Sequence, residues 1–496
     1  MVVTGLDLVT PIGAEAETFW KAAQAGASGV KRISHFDPEG LPTQIAAALD
    51  DRALIEEFRA EAELDVRDPR GVVVGVRAAR GAVAAAGARA ALASRRAGVS
   101  GVRRITHFDP KGLPTQIAAA LGDRALIEAF RAEASLDSRE PRGVVVGLRA
   151  ARGAVAAAGA REVLASRRAG VFVGTSGERH DLRDLGAIAY ASREAGGPLT
   201  RAGFVAEFAR RAAARAAYRT WPQYLAARLA GHFGIEGPTA TIQTACTSSA
   251  QAIGEAVRAI RRGTIDVALA GGAECIVAPI EVQLFCLLGV MSRQNATPEL
   301  ASRPFDARRD GFVIGEGAGF LVLESADHAR RRGAAAVAEL AGYGTTCDAY
   351  RVTDEAPDGR GAIGAMRRAL ADAGLGPADI DYVNAHGTST PMNDRVETAA
   401  IKTVFGPEAP RLLVSSTKSM IGHTISAAGA IELATTVLAV RDQIALPTIN
   451  YLVPDPECDL HYVPNTALPA RIRGAISNSF GFGGHNDCLL VREADR

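Results

Sequence analysis

A thiol, an ammonium and two imidazoles sit in three short runs of this chain. Cys246 lies in Thr244-Ala245-Cys246-Thr247-Ser248-Ser249. His386 lies in Asn384-Ala385-His386-Gly387-Thr388-Ser389-Thr390. Lys418 and His423 share Lys418-Ser419-Met420-Ile421-Gly422-His423. Covalent acyl chemistry uses such a set: a sulfur attacks a carbonyl, and N–H or cationic groups stabilise the developing charge. The thiolate is the reactive form of cysteine, and its pKa falls at a helix N-terminus or beside a cation. Residues 238–243 read as a strand and 248–261 as a helix with small residues on one face. Cys246 is therefore expected at a strand-to-helix turn over the positive end of a helix dipole. That placement favours the thiolate and frees backbone N–H groups for an oxyanion. A single cysteine among small residues is more often a core thiol, so the joint occurrence carries the weight.

The elements that must position these groups alternate along the chain. Residues 265–270 form an apolar strand signal ending at Gly271-Gly272, and 312–324 a strand pair with glycines where the backbone turns or approaches closely. Beyond residue 334 come a strand, a helix over 361–374, a strand over 380–385 and a helix over 426–440. Alternation of this kind implies mixed or parallel sheets covered by helices.

Near its start the chain repeats itself. Residues 28–99 recur as 100–171 with 11 differences, among them Lys31/Arg103, Glu57/Ala129, Val66/Ser138 and Val76/Leu148. Each copy holds a His-Phe-Asp-Pro turn signal, a Gly-Leu-Pro-Thr-Gln-Ile strand signal and two helical stretches. One repeat of this length does not make a solenoid. Copy one follows 19–26 naturally, and copy two runs naturally into Val171-Phe172-Val173. The expectation is a hybrid: the extended piece of copy one and the last helix of copy two in the native places, the residues between displaced.

Composition fits a globular enzyme. The 496 residues allow more than one domain and a large core. A formal net charge of +1 argues against nucleic-acid binding by bulk charge. Cys246, Cys275, Cys286, Cys347, Cys458 and Cys488 show no metal or disulfide spacing, which points to free thiols in a reducing cytoplasm. No apolar run reaches membrane-spanning length, residues 424–440 being interrupted by Glu432, and the N-terminus has no signal-peptide pattern.

The runs taken together resemble the elongating β-ketoacyl–acyl-carrier-protein synthases, thiolase-fold condensing enzymes. Besides the cysteine and histidine motifs, the resemblance rests on Val2-Val3-Thr4-Gly5 through Thr10-Pro11-Ile12-Gly13, Ala270-Gly271-Gly272-Ala273-Glu274 and Arg303-Pro304-Phe305-Asp306 through Arg309-Asp310-Gly311-Phe312. It rests further on Gly315-Glu316-Gly317-Ala318-Gly319 and Asn478-Ser479-Phe480-Gly481-Phe482-Gly483-Gly484. It implies an α/β, five-layered αβαβα thiolase-like fold of two similar halves, residues 1–333 with the duplication and 334–496.

It also implies roles. Cys246 would carry the acyl group, and His386 and His423 would stabilise the enolate formed when a malonyl thioester loses CO₂. Lys418 would balance charge, with Glu316 near it as an outer carboxylate. Phe482 would gate the acyl pocket and add its N–H to the oxyanion hole, while Phe480 reads as plain packing. Thr388 and Thr390 would bind the pantetheine arm. No cofactor is expected to be held tightly, since the substrates ride on the phosphopantetheine of acyl carrier protein. That acidic partner calls for basic residues at the entrance, for which Arg210, Arg211, Arg215, Arg219 and Arg293 are candidates. A homodimer is expected, with no nucleic-acid or membrane partner. Two alternatives remain: a degradative thiolase, for which Cys488 would have to be a second catalytic cysteine, and a non-catalytic chain-length partner, against which the retained Cys246, His386 and His423 argue.

Overall fold

The computed structural model describes residues 1–27, 31–32, 45–46, 103–104, 115, 117–121, 124–137, 140–177, 200–215 and 217–494. Its frame is one ten-stranded sheet. The strands are β1 (Val2–Val9), β2 (Ala169–Gly174), β3 (Thr239–Ile242), β4 (Val267–Glu274), β5 (Gly317–Glu324), β6 (Ala338–Cys347), β7 (Tyr382–Asn384), β8 (Leu413–Ser415), β9 (Gly474–Gly481) and β10 (His485–Arg492). Their spatial order is β8-β7-β9-β10-β6-β1-β5-β4-β2-β3. In the first half β3, β2 and β4 run parallel while β5 and β1 are antiparallel to their neighbours. In the second half β8, β7 and β9 run parallel while β10 and β6 are antiparallel. The two halves thus share one strand order. They meet where Val2 faces Glu339 and Val3 faces Ala338.

Helices fill three layers around this sheet. On the outer face of the first half lie α1 (Arg142–Ala158), packed on β1 and β5, and α2 (Gln223–Phe233), packed on β2 and β3. The outer face of the second half carries α5 (Arg360–Ala373), packed on β6 and β10, with α6 (Pro391–Phe405) beside it. Between the halves run α3 (Ser248–Arg261) and α7 (Ala428–Asp442), in contact with each other and with strands of both halves. Every residue of α7 from Ala428 to Val440 is buried. A helix without a polar face belongs inside a protein. Close packing here depends on glycine: a Cβ on Gly429 would meet Ala250 at 2.7 Å, and one on Gly174 the Ser249 nitrogen at 2.2 Å. Also in the first half, α4 (Pro279–Leu287) follows β4.

The duplicated segment corrects the expected hybrid. The strand next to Ile314–Gly315 is Ile117–Ala119, from copy two rather than copy one. Ile117, Ala118 and Ala119 are fully buried. Helix Arg124–Glu133 and α1, also from copy two, cover the core, with Phe130, Leu148 and Val155 buried. Copy two therefore supplies both the extended piece and the helices. Copy one is described only at Lys31–Arg32 and Ile45–Ala46, which pair with each other in the same register as Arg103–Arg104 with Ile117–Ala118; the rest of it lies outside the described residues. Among the described residues, no helix is long and apolar enough to cross a membrane.

Candidate active site

The two central helices begin at equivalent places in the two halves. Before α3 the chain turns through Ala245–Thr247, with Ala245 at φ 52°. Before α7 it turns through Ile425–Ala427, with Ile425 at φ 45°. Non-glycine residues rarely adopt this conformation, and it persists where surrounding packing over-determines it. The first turn delivers Cys246 and the second follows His423 by two residues. Both side chains arrive at the same point: Cys246 Sγ lies 2.9 Å from His423 Nε2.

His386 comes from the loop after β7. Its backbone N–H and that of Gly387 donate to the two oxygens of Glu397 at 2.9 and 2.8 Å, which anchors the loop to α6. The rings of His386 and His423 stand edge to face with centroids 5.4 Å apart. One donor atom each from Cys246, His386 and His423 lies within 4.8 Å of the others. Such a trio has the composition of a metal site. The Lys418 ammonium, 3.3 Å from His386 Nδ1, sets its positive charge against a cation there.

Lys418 has no acceptor atom, so His386 Nδ1 must accept and its proton sits on Nε2. Lys418 also bonds Glu432, and both side chains are 1% exposed. Glu432 was not among the sequence-predicted site residues. Its signal was there: one carboxylate interrupting the apolar run 424–440. Glu316, expected beside Lys418, does not bond it. Its carboxylate accepts from Leu121 N–H at 2.6 Å, from Arg142 at 2.9 Å and from Val277 N–H at 3.3 Å. The carboxylate partner of Lys418 lies in α7 instead.

Burial dominates the electrostatics. It pushes the Cys246 thiol up to about 12, against the opposing pull of Lys418 and of the Phe482 backbone N–H. The expected thiolate-favouring turn is present, but desolvation outweighs it. Burial, with Lys418 adding to it, holds His386 and His423 well below the usual imidazole range. Burial also raises Glu432 to about 7, with Lys418 pulling it down. At neutral pH the site therefore holds a neutral thiol and neutral imidazoles.

The remaining sequence-predicted residues divide. Backbone N–H groups of Phe482 and Cys246 both point at the sulfur. The Phe482 side chain is half-buried between Gly481 and an exposed Gly483 at φ 88°. Phe480 is buried and packs 5.6 Å from the His386 ring, closer to the chemistry than plain packing implied. Thr388 and Thr390 bond each other at 2.9 Å on the loop that carries His386. Arg293 is exposed. Arg210 pairs with Glu207 at 2.6 Å, and Arg219 is tucked against Asp137 at 3.5 Å. The side chains of Arg211 and Arg215 lie outside the described residues. Cys488 is fully buried in β10 and its thiol is raised by burial, which suits a core residue rather than a second catalytic cysteine. Phe312 was missed: its ring meets that of His423 edge-on at 5.4 Å.

Comparison with known proteins agrees with this geometry. The chain matches the Beta-ketoacyl synthase N-terminal domain over residues 72–329 and the C-terminal domain over 337–452. It is 34% identical to a 3-oxoacyl-[acyl-carrier-protein] synthase 2 of Coxiella burnetii, over 99% of this chain and 98% of the relative. It is 37% identical to a putative polyketide beta-ketoacyl synthase 1 of Streptomyces halstedii, over 100% and 98%. Among solved structures, a type II PKS acyl-carrier protein in complex with its ketosynthase bound to the hexaketide is similar at TM-score 0.73 and 28% identity, over 99% of each chain. A ketosynthase/chain length factor structure (ishigamide) is similar at TM-score 0.72 and 29% identity, over 100% and 99%. With fold, site geometry and full-length similarity in agreement, the chain belongs to the β-ketoacyl synthase family of condensing enzymes.

Proposed function

We propose that Cys246, His386 and His423 carry out a decarboxylating Claisen condensation between an acyl group and malonyl-acyl-carrier protein, in fatty-acid or polyketide synthesis. The observation that carries this is the convergence of one sulfur and two imidazoles within 4.8 Å. In the first half-reaction Cys246 Sγ attacks the thioester carbonyl of an acyl-carrier protein. The N–H groups of Cys246 and Phe482 hold the oxyanion, and the thiol's proton leaves with the pantetheine sulfur. In the second, the bond from the malonyl methylene to its carboxylate breaks and CO₂ departs. The electron pair becomes an enolate, whose oxygen accepts from the N–H of His386 Nε2 and from His423. The enolate carbon attacks the acyl-Cys246 carbonyl, and the sulfur leaves and regains a proton. Lys418, clamped by Glu432, fixes the His386 tautomer. Thr388 and Thr390 take the amides of the pantetheine arm, and Arg293 contributes to the carrier-protein entrance.

His386→Ala and His423→Ala should each slow CO₂ release from malonyl-carrier protein by on the order of 10²-fold, as loss of an oxyanion donor does. Near-normal release in both variants removes them from the site.

We further propose a homodimer through β3. Among the described residues that strand ends one side of the sheet, beside a groove of about 550 Å³ lined by Pro222, Gln223, Ala226, Ala227, Thr239, Thr241 and Gln243. An open edge is a template for a second strand and is normally covered. Thr241→Pro should convert a dimer to monomer in light scattering. A parent chain that is monomeric alone and pairs only with a chain-length-factor protein would replace the homodimer by a heterodimer. The six cysteines are free, and we place the enzyme in the reducing cytoplasm on that ground.

A further inference from the structure

The duplicated segment reaches the site through a short strand pairing that one carboxylate fastens. Strand Ile314–Gly315 holds the main chain of His423 on both sides. His423 N–H donates to the Val313 carbonyl at 2.6 Å, and Gly315 N–H donates to the His423 carbonyl at 2.7 Å. The approach is so close that a Cβ on Gly315 would meet the Ile421 oxygen at 2.6 Å. The other edge of the same strand pairs with copy two: Ala118 faces Ile314 and Ala119 faces Gly315. Glu316 follows directly. Its own N–H donates to the Ala119 carbonyl at 2.6 Å. Its carboxylate, 1% exposed, takes the Leu121 N–H, Arg142 at the start of α1, and the Val277 N–H. Three elements therefore close on one buried charge: the copy-two strand, the copy-two helix and the segment after β4. Ala118, Ala120, Val277, Ile314 and Cys246 share one apolar cluster on the sulfur side of this clasp.

We propose that Glu316 is a positioning residue for His423. By fastening copy two to strand Ile314–Gly315 it sets where the His423 main chain lies, and so where its ring meets Cys246 Sγ. This rests on the reading of His423 as an enolate donor. A donor that must meet an oxygen at hydrogen-bond distance loses its effect when its support relaxes by about an ångström. The acylation step depends on backbone N–H groups in the Cys246 turn and at Phe482, which Glu316 does not touch. The two half-reactions should therefore separate.

The test compares Glu316→Ala, Glu316→Gln, Arg142→Met and His423→Ala in the full chain. Acylation of Cys246 is followed by intact mass and decarboxylation by CO₂ release from malonyl-carrier protein, both per alkylatable Cys246. Glu316→Ala is expected to lower decarboxylation about tenfold more than acylation. Glu316→Gln, which keeps an oxygen for the Leu121 N–H, should recover most of that loss, and Arg142→Met should fall between. Equal loss in both half-reactions for Glu316→Ala, or no loss in either, overturns the proposal. If Glu316→Ala does not fold, Arg142→Met decides in the same way: a split favouring acylation supports the proposal, and no split overturns it. Normal decarboxylation in His423→Ala overturns the reading of His423 itself, a different failure from an unsplit Glu316 variant beside an inactive His423→Ala.

Discussion

Cys246 rests as a thiol because nothing in its enclosure repays the loss of water. Lys418 lowers its pKa, but that ammonium is already bonded to Glu432 and to His386. The resting pair of neutral thiol and neutral imidazole is thus a consequence of depth. Lys418 and Glu432 are both buried, and each is the other's ion-pair partner. Glu432→Ala leaves the ammonium unpaired, so chemical denaturation should show about 3–5 kcal/mol less stability, the range for breaking a buried pair. A loss below about 1 kcal/mol would mean that water reaches Lys418. Cys246, His386, His423 and Lys418 were legible because each stands in a motif of unusual residues. Glu432 was legible only as an interruption of an apolar run, and Glu397 was not singled out, since their meaning comes from partners distant in the chain. Glu316 was read as a partner of Lys418; the side of the strand its carboxylate takes depends on copy two.

At the scale of elements, copy two holds the place beside Ile314–Gly315, and the residues in which the copies differ say why it fits. Position 129 is 3% exposed and holds Ala, where copy one has Glu57. Leu148 is 1% exposed, where copy one has the smaller Val76. Glu140 accepts from the Tyr224 hydroxyl at 2.9 Å, where copy one has the shorter Asp68. Burying a carboxylate without a partner costs several kcal/mol, and Leu to Val in a core about 1 kcal/mol. Deleting residues 28–99 or 100–171 gives two chains of equal length that differ at those 11 positions. The first should be at least as stable as the parent and several kcal/mol more stable than the second, on the order of 2–5 kcal/mol. Equal midpoints would mean that the slot does not discriminate. The duplication was legible residue by residue. Which copy is seated was not, because the choice lies in packing against Tyr224 and the sheet.

A second element carries a titration. Glu355, in the loop before α5, is raised to about 8 by burial first and then by Glu397, Asp394, Asp348 and Asp354. Its folded value lies above the ordinary 4.5, so its contribution to stability is present below about pH 4.5 and is lost as pH rises towards 8. Glu355→Gln lacks that loss. Its thermal midpoint relative to the parent should therefore rise between pH 5 and 8 and level off above, by about as much as one titrating group allows. A pH-independent difference would show that Glu355 is solvated.

Over the whole molecule the site follows from symmetry. Five strands in one order occur twice, and each half sends a helix into the central layer, α3 and α7. Their starts bring Cys246 and His423 together, while the loop after β7 adds His386 from one half only. Strand and helix alternation made the layered α/β fold readable, because the periods of both elements survive in the residues. The pairing of β1 with β6, which joins the halves, left no such trace: two residue pairs do not make a pattern. On the proposed reading, this chain loads an acyl group on Cys246 and transfers it to a decarboxylated malonyl unit. Intact-mass spectrometry with peptide mapping tests it most directly, after acyl-carrier protein and then malonyl-carrier protein are added. The expected result is one acyl adduct on the peptide containing Cys246, which disappears with release of one CO₂ and appearance of β-ketoacyl-carrier protein. An adduct on another residue, or an acyl-Cys246 that persists while malonyl-carrier protein is left intact, would contradict it.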